Sequence, residues 1–132
     1  MILLIDLKGS TKMSQTLTLE DNAKIIQVFS REMALLVDKF NGFVLKYVGD
    51  GLIAYFPEPN LIQMSDNAVD CAACMARMIL TGINPILKQR GLPELSFRTG
   101  LDSGEAIVAT IGADSVKVHK DLISETINIS AK

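Results

Sequence analysis

Val48-Gly-Asp-Gly51 sits between two β-rich runs, Phe43 to Tyr47 and Leu52 to Phe56, and no other feature restricts the fold of this chain as much. Gly and Asp tolerate positive φ, so the segment predicts an antiparallel hairpin. Pro57 and Pro59 close its second strand. A helical periodicity lies on each side. Thr18 with Asp21 marks a helix start, and Ile26, Phe29, Met33, Leu36, Val37 and Phe40 recur at helical spacing until Asn41-Gly42 stops them. A second helix is expected over about Ser65 to Gly91, with Ala68, Ala72, Met75 and Ile79 on one face and a kink at Asn84-Pro85.

The flanks read as strands. Met1 to Leu7 is a short aliphatic run feeding a turn at Lys8-Gly9-Ser10. Leu95 to Ile111 is a long strand region that Gly100 and Gly104 should break. A loop, an extended piece near Val116 to Ile123, and a last helix beginning at Ser124 or Thr126 complete the chain. The order strand, helix, strand, strand, helix, strand is the split β-α-β pattern. It predicts an α+β fold, a ferredoxin-like βαββαβ sandwich whose antiparallel sheet carries its helices on one face.

Composition narrows the function classes. The 132 residues suit one domain, and 48% hydrophobic with 21% charged residues is globular rather than disordered material. A formal net charge of −2 leaves no footprint for nucleic acid. The most apolar stretch, Val69 to Ile86, contains Asp70 and Arg77, so no direct membrane contact is expected. Met1 to Ile5 lacks a basic lead and stops at Asp6, so no signal peptide is expected there. A soluble, cytoplasmic domain is expected. Cys71 and Cys74 form a CxxC on one helical face, where core packing is the simpler reading than redox chemistry. His119, the single histidine, is too little for a zinc site.

Two acids stand out. In the expected sheet the first strand lies beside and antiparallel to the strand after the hairpin, so Asp6 and Asp50 should meet. Hard divalent cations are commonly held by one or two carboxylates together with substrate phosphates. Lys8, Gly9, Ser10 and Thr11 follow Asp6 and offer backbone N–H groups that suit an anion. Either element alone is an ordinary turn; together they point to a metal–phosphate site.

Ile5-Asp-Leu-Lys-Gly-Ser-Thr-Lys-Met13 resembles the opening motif of class III nucleotidyl cyclase catalytic domains. Gly42 to Phe56 resembles their hairpin. Phe97-Arg-Thr-Gly-Leu-Asp-Ser-Gly104 and Asp121 to Lys132 resemble two further blocks, in the family's order. The resemblance implies cyclisation of a nucleoside triphosphate with two Mg²⁺ or Mn²⁺ ions, on Asp6, Asp50 and the Leu7 carbonyl. It implies phosphate contact by Arg98, and recognition of the adenine of ATP by Lys46 and Asp121. An ionised Asp accepts from the 6-amino group and Lys donates to the ring nitrogen. Asn128 matches the ribose-positioning asparagine. Lys132 stands where the family carries an arginine, and lacks its planar fork. The resemblance also implies a head-to-tail homodimer with composite sites, and residues 1–132 as a single catalytic domain from a longer chain. The alternative is a degenerate homology domain acting as a nucleotide-binding or regulatory dimerisation module with little or no turnover. The signature expected of a diguanylate cyclase is absent from Gly49-Asp-Gly-Leu52.

Overall fold

The computed structural model describes residues 1–57, 59–104, 107–111 and 119–123. In chain order they form β1 (Ile2–Lys8), α1 (Ser10–Thr16), α2 (Leu19–Lys39), β2 (Phe43–Val48), β3 (Gly51–Tyr55), α3 (Leu61–Met78), a π-helical turn (Ile79–Ile83), α4 (Asn84–Gln89), β4 (Ser96–Asp102), β5 (Ile107–Ile111) and β6 (His119–Ile123). The main sheet runs β2-β3-β1-β4 with antiparallel neighbours. That order is the ferredoxin-like one expected from the element sequence.

Strand alternation divides the residues of β1 between two faces. Leu3, Ile5 and Leu7 join Leu52, Ala54 and Phe56 in the main core, against Ile25, Phe29, Met33 and Val37 of α2 and Ala68, Cys71 and Met75 of α3. Ile2 and Ile53 lie on the opposite face, in a small second cluster with Leu4, Leu45 and Tyr55. Both long helices therefore cover one face. The other face carries the polar row described below.

Local signals set the ends of α2. The Thr18 hydroxyl accepts from the Asp21 N–H at 3.1 Å, which satisfies one of the helix's unpaired donors. Asn41 ends the run in left-handed conformation at φ 60°. The buried stripe repeats every four residues from Ile25, so Ile26 is only half-buried.

Several boundaries differ from the sequence reading. The second helix starts at Leu61, because Asn60 Oδ1 accepts from Ile62 N at 3.0 Å and caps it there. The expected kink at Asn84-Pro85 is a π-helical turn one turn upstream. A proline has no N–H for the carbonyl four residues back, and a wider turn relieves the ladder at that point. Ile79, Ile83 and Leu87 still face the core. The expected strand over 95–111 is two strands in two sheets. β4 passes straight through Gly100, which pairs with Leu4, and the pairing with β1 stops at Asp102. β5 pairs with β6 instead, and β6 lies against β2. The helix expected from Ser124 or Thr126 lies outside the described residues.

Cys71 is fully buried, Cys74 is half-buried and both are free thiols, in accord with packing rather than redox chemistry. Burial, and secondarily Cys74, push the Cys71 thiol up to about 12. Among the described residues no helix is long and apolar enough to cross a membrane.

Candidate functional site

The site is built on a row of residues crossing the open face. Val48 pairs with Gly51, Gly51 with Asp6, and Asp6 with Arg98. Asp50 stands beside that row in the two-residue turn. Gly49 there takes φ 59° while Asp50 does not adopt positive φ, as in II′-type hairpin turns. The expected meeting of the first strand's end with the turn is thus what the register produces.

Gly51 makes the approach possible. A Cβ at this position would lie 2.6 Å from the Ile5 carbonyl oxygen and 2.8 Å from the Asp6 Cβ. Only a residue without a side chain lets β3 pass over Asp6 so closely. In the sequence this glycine reads only as part of a turn. Its steric role depends on a contact with a residue 45 positions away, which the sequence alone does not display.

Arg98 grips Asp6 with two bonds. Its Nε donates to Oδ1 at 3.1 Å and a terminal nitrogen donates to Oδ2 at 2.6 Å. The Asp6 side chain is 24% exposed and that of Arg98 is 64% exposed. Hydrogen bonding to Asp6, then its charge, raises the Arg98 pKa above the usual arginine value, and the Asp50 charge adds to this. The three groups therefore share one electrostatic environment. Asp50 Oδ2 is buried without a hydrogen-bond partner. A buried, unpartnered carboxylate oxygen is costly unless a ligand satisfies it.

The donor chemistry fits a hard divalent cation. Both side chains are carboxylates, and one oxygen of Asp50 is buried without a partner. Among the described residues no group of three or more His, Cys, Asp or Glu side chains gathers. Two carboxylates with backbone carbonyls and substrate oxygens match the way Mg²⁺ is usually held. Leu7 lies next to Asp6, buried at 4% exposure. On the β3 side the register ends at Asp6, while β4 continues to Lys8 opposite Ser96.

Lys8 is the exposed end of β1, and Gly9, left-handed at φ 70°, opens α1 with Ser10 and Thr11 in its first turn. The Met13 N–H bonds to the Gly9 carbonyl at 3.0 Å, so the N–H groups before it lack an intrahelical partner. An open pocket of about 420 Å³ adjoins this loop, lined among others by Lys8, Lys12 and Glu94. Lys12 lies within the opening motif, whereas Glu94 carries no sequence signal, since only the fold brings it beside that segment.

Lys46 is on β2 beside a bulge at Val44 and opposite Ile53, one row along the open face from Asp6. Asp121 is on β6 opposite Ala109, and β6 lies against β2, so the elements of the expected purine pair adjoin. Asn128 and Lys132 lie outside the described residues.

Comparison with known proteins accords with this geometry. The family model described as "Adenylate and Guanylate cyclase catalytic domain" matches residues 1–132. An adenylate cyclase of Anabaena cylindrica is 25% identical over 99% of this chain and 26% of its own length. The chain thus spans about a quarter of the curated relatives it matches. The crystal structure of the adenylyl cyclase CyaB from P. aeruginosa superposes with TM-score 0.89 at 23% identity, covering 98% of this chain and 67% of that one. The guanylyl cyclase Cya2 gives TM-score 0.87 at 26% identity, covering 98% and 66%.

Proposed function

The chain belongs to the adenylate and guanylate cyclase catalytic domain family, and we propose that it is an adenylate cyclase, converting ATP to 3′,5′-cyclic AMP and pyrophosphate for cyclic-nucleotide signalling. The observation that carries the reading is the pairing of Asp6 with Gly51, which brings the Asp50 turn, with its unpartnered buried oxygen, to the end of β1.

Asp6, Asp50 and the Leu7 carbonyl would hold two Mg²⁺ or Mn²⁺ ions. When bound, these ions supply an activated ribose 3′-hydroxyl and a clamp on the triphosphate. The chain's own residues position the rest. N–H groups of the segment Lys8, Gly9, Ser10 and Thr11 bind phosphate oxygens, and the fork of Arg98 takes phosphate in the bidentate geometry it uses on Asp6. Lys46 and Asp121 select adenine through donor and acceptor complementarity. Asn128 orients the ribose, and Lys132 places positive charge on the reacting phosphate.

The similar structures include both adenylyl and guanylyl cyclases. Lys46 and Asp121 support ATP over GTP. Lys46 and Asp6 share a face roughly 12 Å apart, from two strand spacings and two residue rises. In a head-to-tail homodimer one protomer supplies the metal carboxylates and the other the purine and ribose residues. The reading places the domain in the cytoplasm, where ATP is available.

The test is to supply the protein with Mn²⁺ and ATP or GTP and identify the products by mass spectrometry. Cyclic AMP in excess, reduced by Asp121→Ala, supports the reading; cyclic GMP in excess refutes the base assignment. Lys132 favours a second reading, a nucleotide-binding module with little turnover. ATP binding without any product would select it.

A further inference from the structure

We propose that Arg98 is a built-in surrogate cation on Asp6: the ligand-free protein holds this carboxylate with the guanidinium, and a divalent cation gains Asp6 only as Arg98 lets go. The inference rests on the reading of Asp6 and Asp50 as metal-holding residues. It goes beyond that reading by making Arg98 part of metal entry, so that metal affinity is set partly by an internal competitor.

The geometry is that of a competitor. Both oxygens of Asp6 are occupied, one by Nε and one by a terminal nitrogen. A carboxylate in a bidentate fork has few lone-pair sites left for another cation. The two residues are direct register partners on β1 and β4, so the pair forms without bending either strand. Retreat is open as well. β4 is the edge strand of the four-stranded sheet, and the Arg98 side chain is 64% exposed against 24% for Asp6.

The charges favour an exchange over a permanent strut. Two carboxylates and one guanidinium leave the cluster one negative charge in excess, and Asp50 Oδ2 has no partner. A divalent cation satisfies both carboxylates and frees a guanidinium whose fork suits phosphate equally well. Metal and triphosphate then assist one another, because each favours the released position of Arg98, and such coupling is reciprocal.

The experiment measures Mn²⁺ binding to the nucleotide-free protein by calorimetry and by the electron paramagnetic resonance of free Mn²⁺. Arg98→Gln should tighten Mn²⁺ binding about fivefold, the scale of a well-formed but exposed ion pair. Arg98→Lys, which keeps the charge and loses the fork, should fall between the two. Arg90→Gln, which removes one positive charge from the C-terminal end of α4, should leave the affinity unchanged. In an Asp6→Asn background the Arg98→Gln effect should vanish. Thermal melts of every variant confirm that folded protein is compared. Equal Mn²⁺ affinity in wild type and Arg98→Gln overturns the surrogate role alone. A wild-type affinity in Arg98→Lys, or a fivefold gain in Arg90→Gln, reduces the effect to net charge and also overturns it. Absence of Mn²⁺ binding in wild type and Arg98→Gln alike overturns it together with the metal reading.

Discussion

Replacing Gly51 with alanine tests the construction of the site at its tightest point. The added methyl would lie 2.6 Å from the Ile5 carbonyl oxygen and 2.8 Å from the Asp6 Cβ, distances that real Cβ atoms do not tolerate. Neither neighbour is a flexible side-chain tip, so β1 and β3 must separate where they pair Asp6 with Gly51. Overpacking of this kind costs about 1–3 kcal/mol. For a domain of this size that lowers Tm by roughly 3–10 °C. The same separation displaces the Asp6 carboxylate, and an error of about 1 Å in a catalytic group commonly costs on the order of 10² in rate. Gly49→Ala is the control. Its φ of 59° makes alanine strained, but nothing lies within 4 Å of the added methyl. It should lose stability by about 1 kcal/mol and keep most of the Mn²⁺-dependent turnover. Circular dichroism melts with a cyclic nucleotide assay separate the two. Wild-type Tm and turnover in Gly51→Ala would refute the close-approach argument.

Other perturbations probe separate links. Asn84 is buried and clamps Leu95, accepting from its N–H at 2.7 Å and donating to its carbonyl at 3.0 Å. Asn84→Ala leaves both groups unpaired just before β4, so urea denaturation should show a loss of about 2–4 kcal/mol; a loss below 0.5 kcal/mol, roughly the level of a neutral surface change, would contradict the clamp. Asp50→Asn replaces a carboxylate whose Oδ2 lacks a partner, so Tm should hold or rise while turnover falls about 10²-fold or more; a marked fall in Tm would show that Asp50 is structural. The raised Cys71 pKa, about 12, keeps its thiol protonated in the folded state after it ionises in the unfolded one. Its contribution to stability is therefore full below the unfolded value and lost as pH rises toward about 12. Peptide mapping after iodoacetamide treatment at pH 8 should find Cys71 unmodified in native protein and modified in urea.

The parts of the structure legible in the sequence are those set by local chemistry. The Thr18 cap, the Asn41 stop and the Gly49-Asp50 turn each act within a few residues, and they placed α2 and the hairpin. The alternation of strand and helix was enough to place β1 beside β3, and so Asp6 beside the turn. What sequence did not reveal depends on distant contacts. α1 is seven residues of mostly polar and β-branched type, held by its one buried residue, Met13, rather than by propensity. Gly100 looked like a break because an interior glycine usually weakens a strand, yet it lies in the edge strand opposite Leu4, where pairing sustains it. The Asp6–Arg98 pair joins residues 92 apart. The motif points Arg98 at phosphate, and only the β1–β4 register places it against a carboxylate. Asn128 and Lys132 rest on the motif alone.

The central claim is that Asp6 and Asp50 together hold the metal ions on which cyclisation depends. Its most direct test is cyclic AMP formation from ATP with Mn²⁺, alongside Mn²⁺ binding, in wild type and in Asp6→Asn and Asp50→Asn variants that melt cooperatively. The account predicts product from wild type, a loss of at least about 10²-fold in each variant, and weakened Mn²⁺ binding in both. Wild-type turnover and Mn²⁺ affinity in either variant would contradict it.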